Sequence, residues 1–90
     1  MKKYGVMLIG CGHIGCQHLQ DIYYRENIRV VAVTDIDPNA ARKAAERFGA
    51  EYHGSDHLRF LSYDSIDIVI IATYTSSHLS ILKDCLAHGK

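Results

Sequence analysis

Residues 5–15, GVMLIGCGHIG, decide how the rest of the chain is read. The apolar run at 5–9 makes a strand, and the three glycines of GCGHIG follow it directly. Gly10 allows a tight turn, Gly12 keeps a Cβ out of the way where an anion approaches the backbone, and Gly15 lets the helix that starts here pack close to the strand. G-x-G-x-x-G is informative only between a strand and a helix, and that context is met. A phosphate group in the loop would face free N–H groups at the positive end of the helix dipole. The expected phosphate-binding set is Gly10, Cys11, Gly12, His13, Ile14 and Gly15, with Cys11 and His13 contributing backbone N–H groups.

Asp35 stands at the end of the next apolar run, at the spacing of about twenty residues at which a carboxylate accepts hydrogen bonds from a ribose. Together, loop and carboxylate predict a bound dinucleotide, where a bare glycine triplet is equally well a plain strand-to-helix turn. Asp35 also has the chemistry to cap a turn, but Asp37 fills that role, so Asp35 is read as the ribose ligand. A carboxylate repels a 2′-phosphate and the neighbouring Ile36 offers no cation, so NAD is preferred over NADP. Arg42 on the following helix acts against that preference.

Outward from this unit, short apolar runs alternate with helical patterns, the mark of βαβ units and a parallel sheet. A helix is predicted over about 13–24, carrying Ile14, Leu19, Ile22 and Tyr23, and a second strand over 29–34. Asp37 as N-cap and Pro38 at the first helical position start a helix with Ala41, Ala44, Ala45 and Phe48 on one face, ended by Gly49. Residues 51–53 read as a third strand and 56–61 as a short helix or turn capped by Ser55. The run Ile68, Val69, Ile70, Ile71 leading to Ala72 fits a central parallel strand covered on both faces. The last helix is predicted from Ser76 or Ser77, burying His78, Ile81, Leu82 and Cys85 and capped by Gly89. The fold class is α/β: a partial Rossmann-like, doubly wound parallel sheet of about four strands in the order 3-2-1-4, forming one domain over residues 1–90.

Composition agrees with a globular chain. Ninety residues with 48% hydrophobic and 22% charged side chains build one core. Ten basic against ten acidic residues leave no basic stripe for nucleic acid. The first apolar run breaks at Gly10, too early for a secretion signal, and residues 68–82 are too short and polar to span a bilayer. A soluble, cytoplasmic protein is therefore expected, and three cysteines, an odd number in a chain without a signal, argue against a disulfide framework and for reduced thiols. Cys11, His13, Cys16 and His18 crowd one turn but lack the C-x-x-C knuckle of structural zinc, so no metal is expected. Cys16 and Cys85 read as packed small apolar residues.

Three segments in order, GCGHIG after VMLI, TDIDPNAARKAAERFGA and IDIVIIATYTSSHLSILKDCLAHGK, resemble the N-terminal part of the glucose–fructose oxidoreductase, inositol dehydrogenase and MocA family. The resemblance covers nearly the whole chain. It implies NAD(P)-dependent oxidation or reduction of sugars, polyols and related compounds, with Thr73, Tyr74, Thr75 and His78 lining the nicotinamide and ribose side of the cofactor. Residues past the carboxyl end of a parallel strand border the ligand crevice, which supports the same placement. For His78, a satisfied histidine on the inner face of the last helix is the equal alternative. Many members have Pro where this chain has Tyr74 and Asn where it has Thr75.

In the family a further strand leads into a Glu-Lys-Pro motif with the lysine that assists proton transfer, followed by a substrate domain. This chain is expected to be the cofactor domain truncated before them. Lys90 belongs to the Gly-Lys pair, and no catalytic residue is assigned. The isolated chain is expected to bind NAD(H) without turnover and to self-associate, as a homodimer or larger, through the open edge of the strand at 68–72. A stand-alone NAD-sensing module is the alternative from another class. A methyltransferase is disfavoured because Leu8 and Ile9 stand where such enzymes carry an acidic residue.

Overall fold

The computed structural model describes residues 3–73 and 75–90, and the side chains of all of these except 75–77. Its elements are β1 (Tyr4–Ile9), α1 (His13–Gln20), β2 (Ile28–Thr34), α2 (Pro38–Phe48), β3 (Tyr52–Gly54), α3 (Leu58–Leu61), β4 (Ile68–Ile71) and α4 (Thr75–Ala87). The strands form one parallel sheet in the order β3-β2-β1-β4, the expected doubly wound arrangement.

Side chains alternate across a strand, so Val6 and Leu8 of β1 face one way and Met7 and Ile9 the other. The first pair packs with Leu19 of α1 and Ala44, Ala45 and Phe48 of α2. The second packs with Phe60 and Leu61 of α3, Ile66, and Ile81 and Cys85 of α4. Strand β2 breaks the alternation: Val30 and Val33 share one face while Val31 and Ala32 share the other. The cause is a register shift at Val6/Met7, where β2 contributes one residue more than β1.

Helix α2 is capped as its sequence predicts. Asp37 Oδ1 accepts the N–H of Asn39 at 3.0 Å, Pro38 opens the first turn, and Gly49 closes the helix at φ +70°. Other elements differ from expectation. Helix α1 stops at Gln20, and Tyr23 lies beyond it, edge-on to Phe48 with ring centroids 5.1 Å apart. The short helix α3 has His57 at its N-cap position, and the side chain that serves its entry is Asp56, whose Oδ1 accepts the N–H of Leu58, in place of the expected Ser55.

Helix α4 buries Ile81 and Cys85, but His78 and Leu82 are exposed. Leu82 is about 100° around the helix from Ile81 and turns away from the sheet. Strand β4 is half-buried and not fully covered. It pairs with β1 on one side and has no strand on the other among the described residues, leaving Ile68 exposed.

The turn into β4 is fastened to the start of β1. Asp67 donates its N–H to the Gly5 carbonyl (2.8 Å) and accepts the Gly5 N–H on Oδ2 (2.9 Å). Lys90 donates from Nζ to the carbonyls of Tyr63 and Ile66, at 2.8 and 2.6 Å, tying the end of the chain to the same turn. No helix among the described residues is long and apolar enough to cross a membrane.

Candidate functional site

A crevice of about 670 Å³ runs along the carboxyl ends of the strands, the place where open parallel sheets bind ligands. Its centre is the loop between β1 and α1. Gly10 takes φ +96°, a left-handed conformation that side chains disfavour, and a Cβ there would lie 2.6 Å from the Ala72 carbonyl oxygen. A Cβ on Gly15 would collide with the Gly10 carbonyl oxygen, so the turn and the helix close on each other only without side chains. Gly12, the N-cap of α1, differs: a Cβ there meets nothing within 4 Å. The space above it is open to the crevice, and no side-chain cap satisfies the first N–H groups of the helix. An anion fits that cradle.

Beside the loop lies Asp35, at the end of β2. Its Oδ2 accepts the Cys11 N–H at 2.7 Å and its Oδ1 accepts the Asp37 N–H at 2.9 Å. The carboxylate therefore braces the glycine loop and also shapes the turn into α2, a role the sequence reading gave to Asp37 alone. Each oxygen has a second lone pair, so the group can still accept from a ribose diol. Thr34 and Thr73 carry buried hydroxyls without a hydrogen-bond partner among the described residues, and both border the crevice. A carboxylate, unpaired buried hydroxyls and an open glycine cradle form a donor and acceptor set that suits a nucleotide.

Cys11 is buried and its thiol is pushed up to about 12, first by desolvation, then by Asp35 and Cys16. It is thus a neutral packing group and not a nucleophile. Its Sγ donates to the Thr34 carbonyl (3.4 Å), and Cys16 donates to the Cys11 carbonyl (3.3 Å), so both thiols stitch the loop together. Burial first, then Asp84, also raises the Cys85 thiol. No metal-binding cluster exists among the described residues.

Of the residues singled out from sequence, Gly10, Cys11, Gly12, His13, Ile14, Asp35 and Thr73 line the crevice. Gly15 is buried behind the loop. Tyr74 and the side chain of Thr75 lie outside the described residues. His78 stands apart from the crevice lining; its Nε2 donates to the Thr73 carbonyl at 2.8 Å, which holds the loop after β4. Arg42 is exposed on α2 and does not line the crevice.

The sequence reading missed Ile36, Ser55, His57 and Ile81 as lining residues. Ser55 and His57 follow β3 at its carboxyl end, the rule already applied to β4, but a three-residue strand gave little signal.

Comparison with known proteins bears on the fold and the family. The chain is 37% identical over 86 residues to inositol 2-dehydrogenase of Burkholderia ambifaria, an alignment covering 92% of the chain and 25% of that enzyme. Among solved structures, it superposes on GenD2 of gentamicin A biosynthesis, crystallised with NAD, at a TM-score of 0.94 and 26% identity over 100% of the chain and 26% of GenD2. It superposes on Lactobacillus casei myo-inositol dehydrogenase, in complex with NAD(H) and myo-inositol, at 0.85 and 29% identity over 94% of the chain and 26% of that protein. The chain thus spans about a quarter of the length of these relatives. Residues 4–90 match the family GFO_IDH_MocA, and the chain belongs to this oxidoreductase family as its NAD-binding Rossmann domain.

Proposed function

We propose that this chain is the cofactor-holding quarter of an oxidoreductase that moves a hydride between NAD and a sugar, polyol or related small molecule. The observation that carries the reading is the convergence, in one crevice, of the open cradle at Gly12 and the Asp35 carboxylate bonded to the same loop. In this reading Gly10, Cys11, Gly12, His13, Ile14 and Gly15 form the pyrophosphate cradle and Asp35 holds the ribose of the adenosine half. Thr73, Tyr74, Thr75 and His78 border the nicotinamide half, His78 acting through its bond to Thr73. The bound nicotinamide supplies or accepts the hydride. In this reading the proton transfer belongs to the lysine of the family's Glu-Lys-Pro motif, and the substrate contacts to the domain that follows it in the longer polypeptide. The polyol class is supported by the inositol dehydrogenases among the relatives. The three free cysteines support a reducing, cytoplasmic setting.

Calorimetric titration tests the cofactor choice. NADH is expected to bind more tightly than NADPH, since a 2′-phosphate would lie against the Asp35 carboxylate. Asp35→Asn keeps one acceptor for the loop and removes the charge. It is expected to weaken NADH roughly tenfold, by the loss of about one charge-assisted hydrogen bond, and to narrow the gap to NADPH. Equal or tighter NADPH binding by the wild type would overturn the assignment.

Self-association of the 90-residue chain follows from β4. Its outer edge presents unpaired backbone groups among the described residues, Ile68 is exposed, and Leu79, Leu82 and Leu86 of α4, the helix that follows β4, are exposed as well. Light scattering is expected to show mass rising toward a dimer or beyond with concentration, and Ile68→Lys to suppress it. Val69 packs against the core and would be a poorer site for the charge. A strictly monomeric wild type at high concentration would refute the open-edge reading.

A further inference from the structure

The far end of the crevice holds a histidine whose tautomer is set by the fold. His57, at the entry to α3, lines the crevice, and its Nε2 lies 2.9 Å from Asp84 Oδ2 on α4. The two side chains are 22% and 36% exposed, so the pair is partly withdrawn from water. An ionised carboxylate only accepts, so Nε2 carries the hydrogen, and in the neutral ring Nδ1 is left as an acceptor. Nδ1 has no hydrogen-bond partner among the described residues.

With the dinucleotide bound as proposed, this is the end its adenine would reach. Gly12 marks the phosphates, and Asp35, one strand over, marks the adenosine ribose. The base would then lie one sugar further out, and the crevice lining offers it Ile36 after β2, His57 after β3 and Ile81 of α4. Ile36 and Ile81 supply apolar surface for a flat ring and say nothing about which purine it is. His57 supplies the polar group at this end whose donor or acceptor character another side chain dictates.

We propose that His57, held in one tautomer by Asp84, reads the purine of the bound dinucleotide by accepting a hydrogen bond at Nδ1 from its exocyclic amino group. Asp84 is a positioning residue: it touches no ligand and sets which ring nitrogen can accept. The inference rests on the crevice being the dinucleotide site and adds to it a residue that decides which base is accepted. A base with a carbonyl oxygen at that position, such as hypoxanthine, would bring one acceptor against another.

The test compares NADH with reduced nicotinamide hypoxanthine dinucleotide, by calorimetric or NMR titration at pH 8, on the 90-residue chain and three variants. The wild type is expected to prefer the adenine form about five- to tenfold, the worth of about one hydrogen bond. His57→Phe keeps a flat apolar surface and is expected to bring the ratio to about one. His57→Gln, whose amide can present either its oxygen or its nitrogen, is expected to do the same while preserving polarity. Asp84→Asn, able to donate to Nε2 as well as to accept from it, is expected to narrow the ratio with little change in the thermal melt. A loss of packing alone would weaken both ligands together and leave the ratio unmoved. A wild-type ratio near one, or a ratio retained in folded His57→Phe or His57→Gln, would overturn the role of His57. Failure of the wild type to bind NADH at all would instead overturn the dinucleotide reading beneath it.

Discussion

Gly12→Val is expected to weaken NADH binding at least a hundredfold while leaving the thermal melt within a few degrees of the wild type. The two halves of that expectation come from one observation, the empty space a side chain would enter at Gly12. Its backbone sits at φ −73° and ψ −171°, extended geometry that a β-branched residue adopts readily, so valine brings no conformational strain. Nothing of the core lies within 4 Å of a Cβ there, so valine displaces no packed group. What it occupies, in the proposed reading, is the approach of a pyrophosphate to the first N–H groups of α1. A hundredfold loss is about 2.7 kcal/mol, within reach of blocking several charge-assisted hydrogen bonds at once. Titration and melting on the same sample separate the effects. Normal NADH binding by the variant would show that the loop is not the phosphate site.

The opposite behaviour is expected of Gly5→Ala, which should destabilise the fold by roughly 3 kcal/mol or more without touching the crevice. A Cβ on Gly5 would overlap the Ser65 carbonyl oxygen and lie 2.9 Å from the Val31 side chain. Overpacking in a core costs about 1–3 kcal/mol where side chains can shift. Here the obstacle is backbone, and the turn carrying it is fastened to β1 by both bonds between Gly5 and Asp67, so little relaxation is open to it. For a domain of this size each kcal/mol is about 4–8 °C in Tm, so the variant should melt at least 12 °C lower or fail to fold. Gly54→Ala is the control. Its Cβ would meet only the Phe60 ring at 3.5 Å, ordinary contact, and its melt should shift by only a few degrees. A Gly5→Ala protein as stable as the wild type would mean that the turn at Ser65 moves freely.

These two glycines show how differently the site and the scaffold are written. Gly12 is legible because its setting is local: a strand, a spaced triplet and a helix start lie within eleven consecutive residues. Gly5 reads only as the first residue of a strand, since its constraint comes from Ser65, sixty residues on. The three-residue β3 and the entry to α3 were blurred for a related reason. Short elements carry little periodicity, and their ends are set by whichever side chain reaches the free N–H first, here Asp56 ahead of Ser55.

By itself, then, the amino-acid order determined the α/β class, the strand order, the caps of α2 and the glycine loop with Asp35 at the carboxyl ends of the first two strands. Each is carried by backbone conformation, capping chemistry or spacing within a short stretch, where no distant partner is needed. Only the tertiary structure decided that Asp35 braces the loop it serves, that His78 leaves the core to hold the Thr73 carbonyl, and that β4 is half-covered. It alone joined His57 to Asp84, 27 positions apart, beside Ile36 and Ile81. The physical reason is that hydrogen-bond partners and burial depend on which surfaces the parallel crossovers bring together. Crossovers carry residues from β3, α3 and α4 to one end of the sheet whatever their separation along the chain.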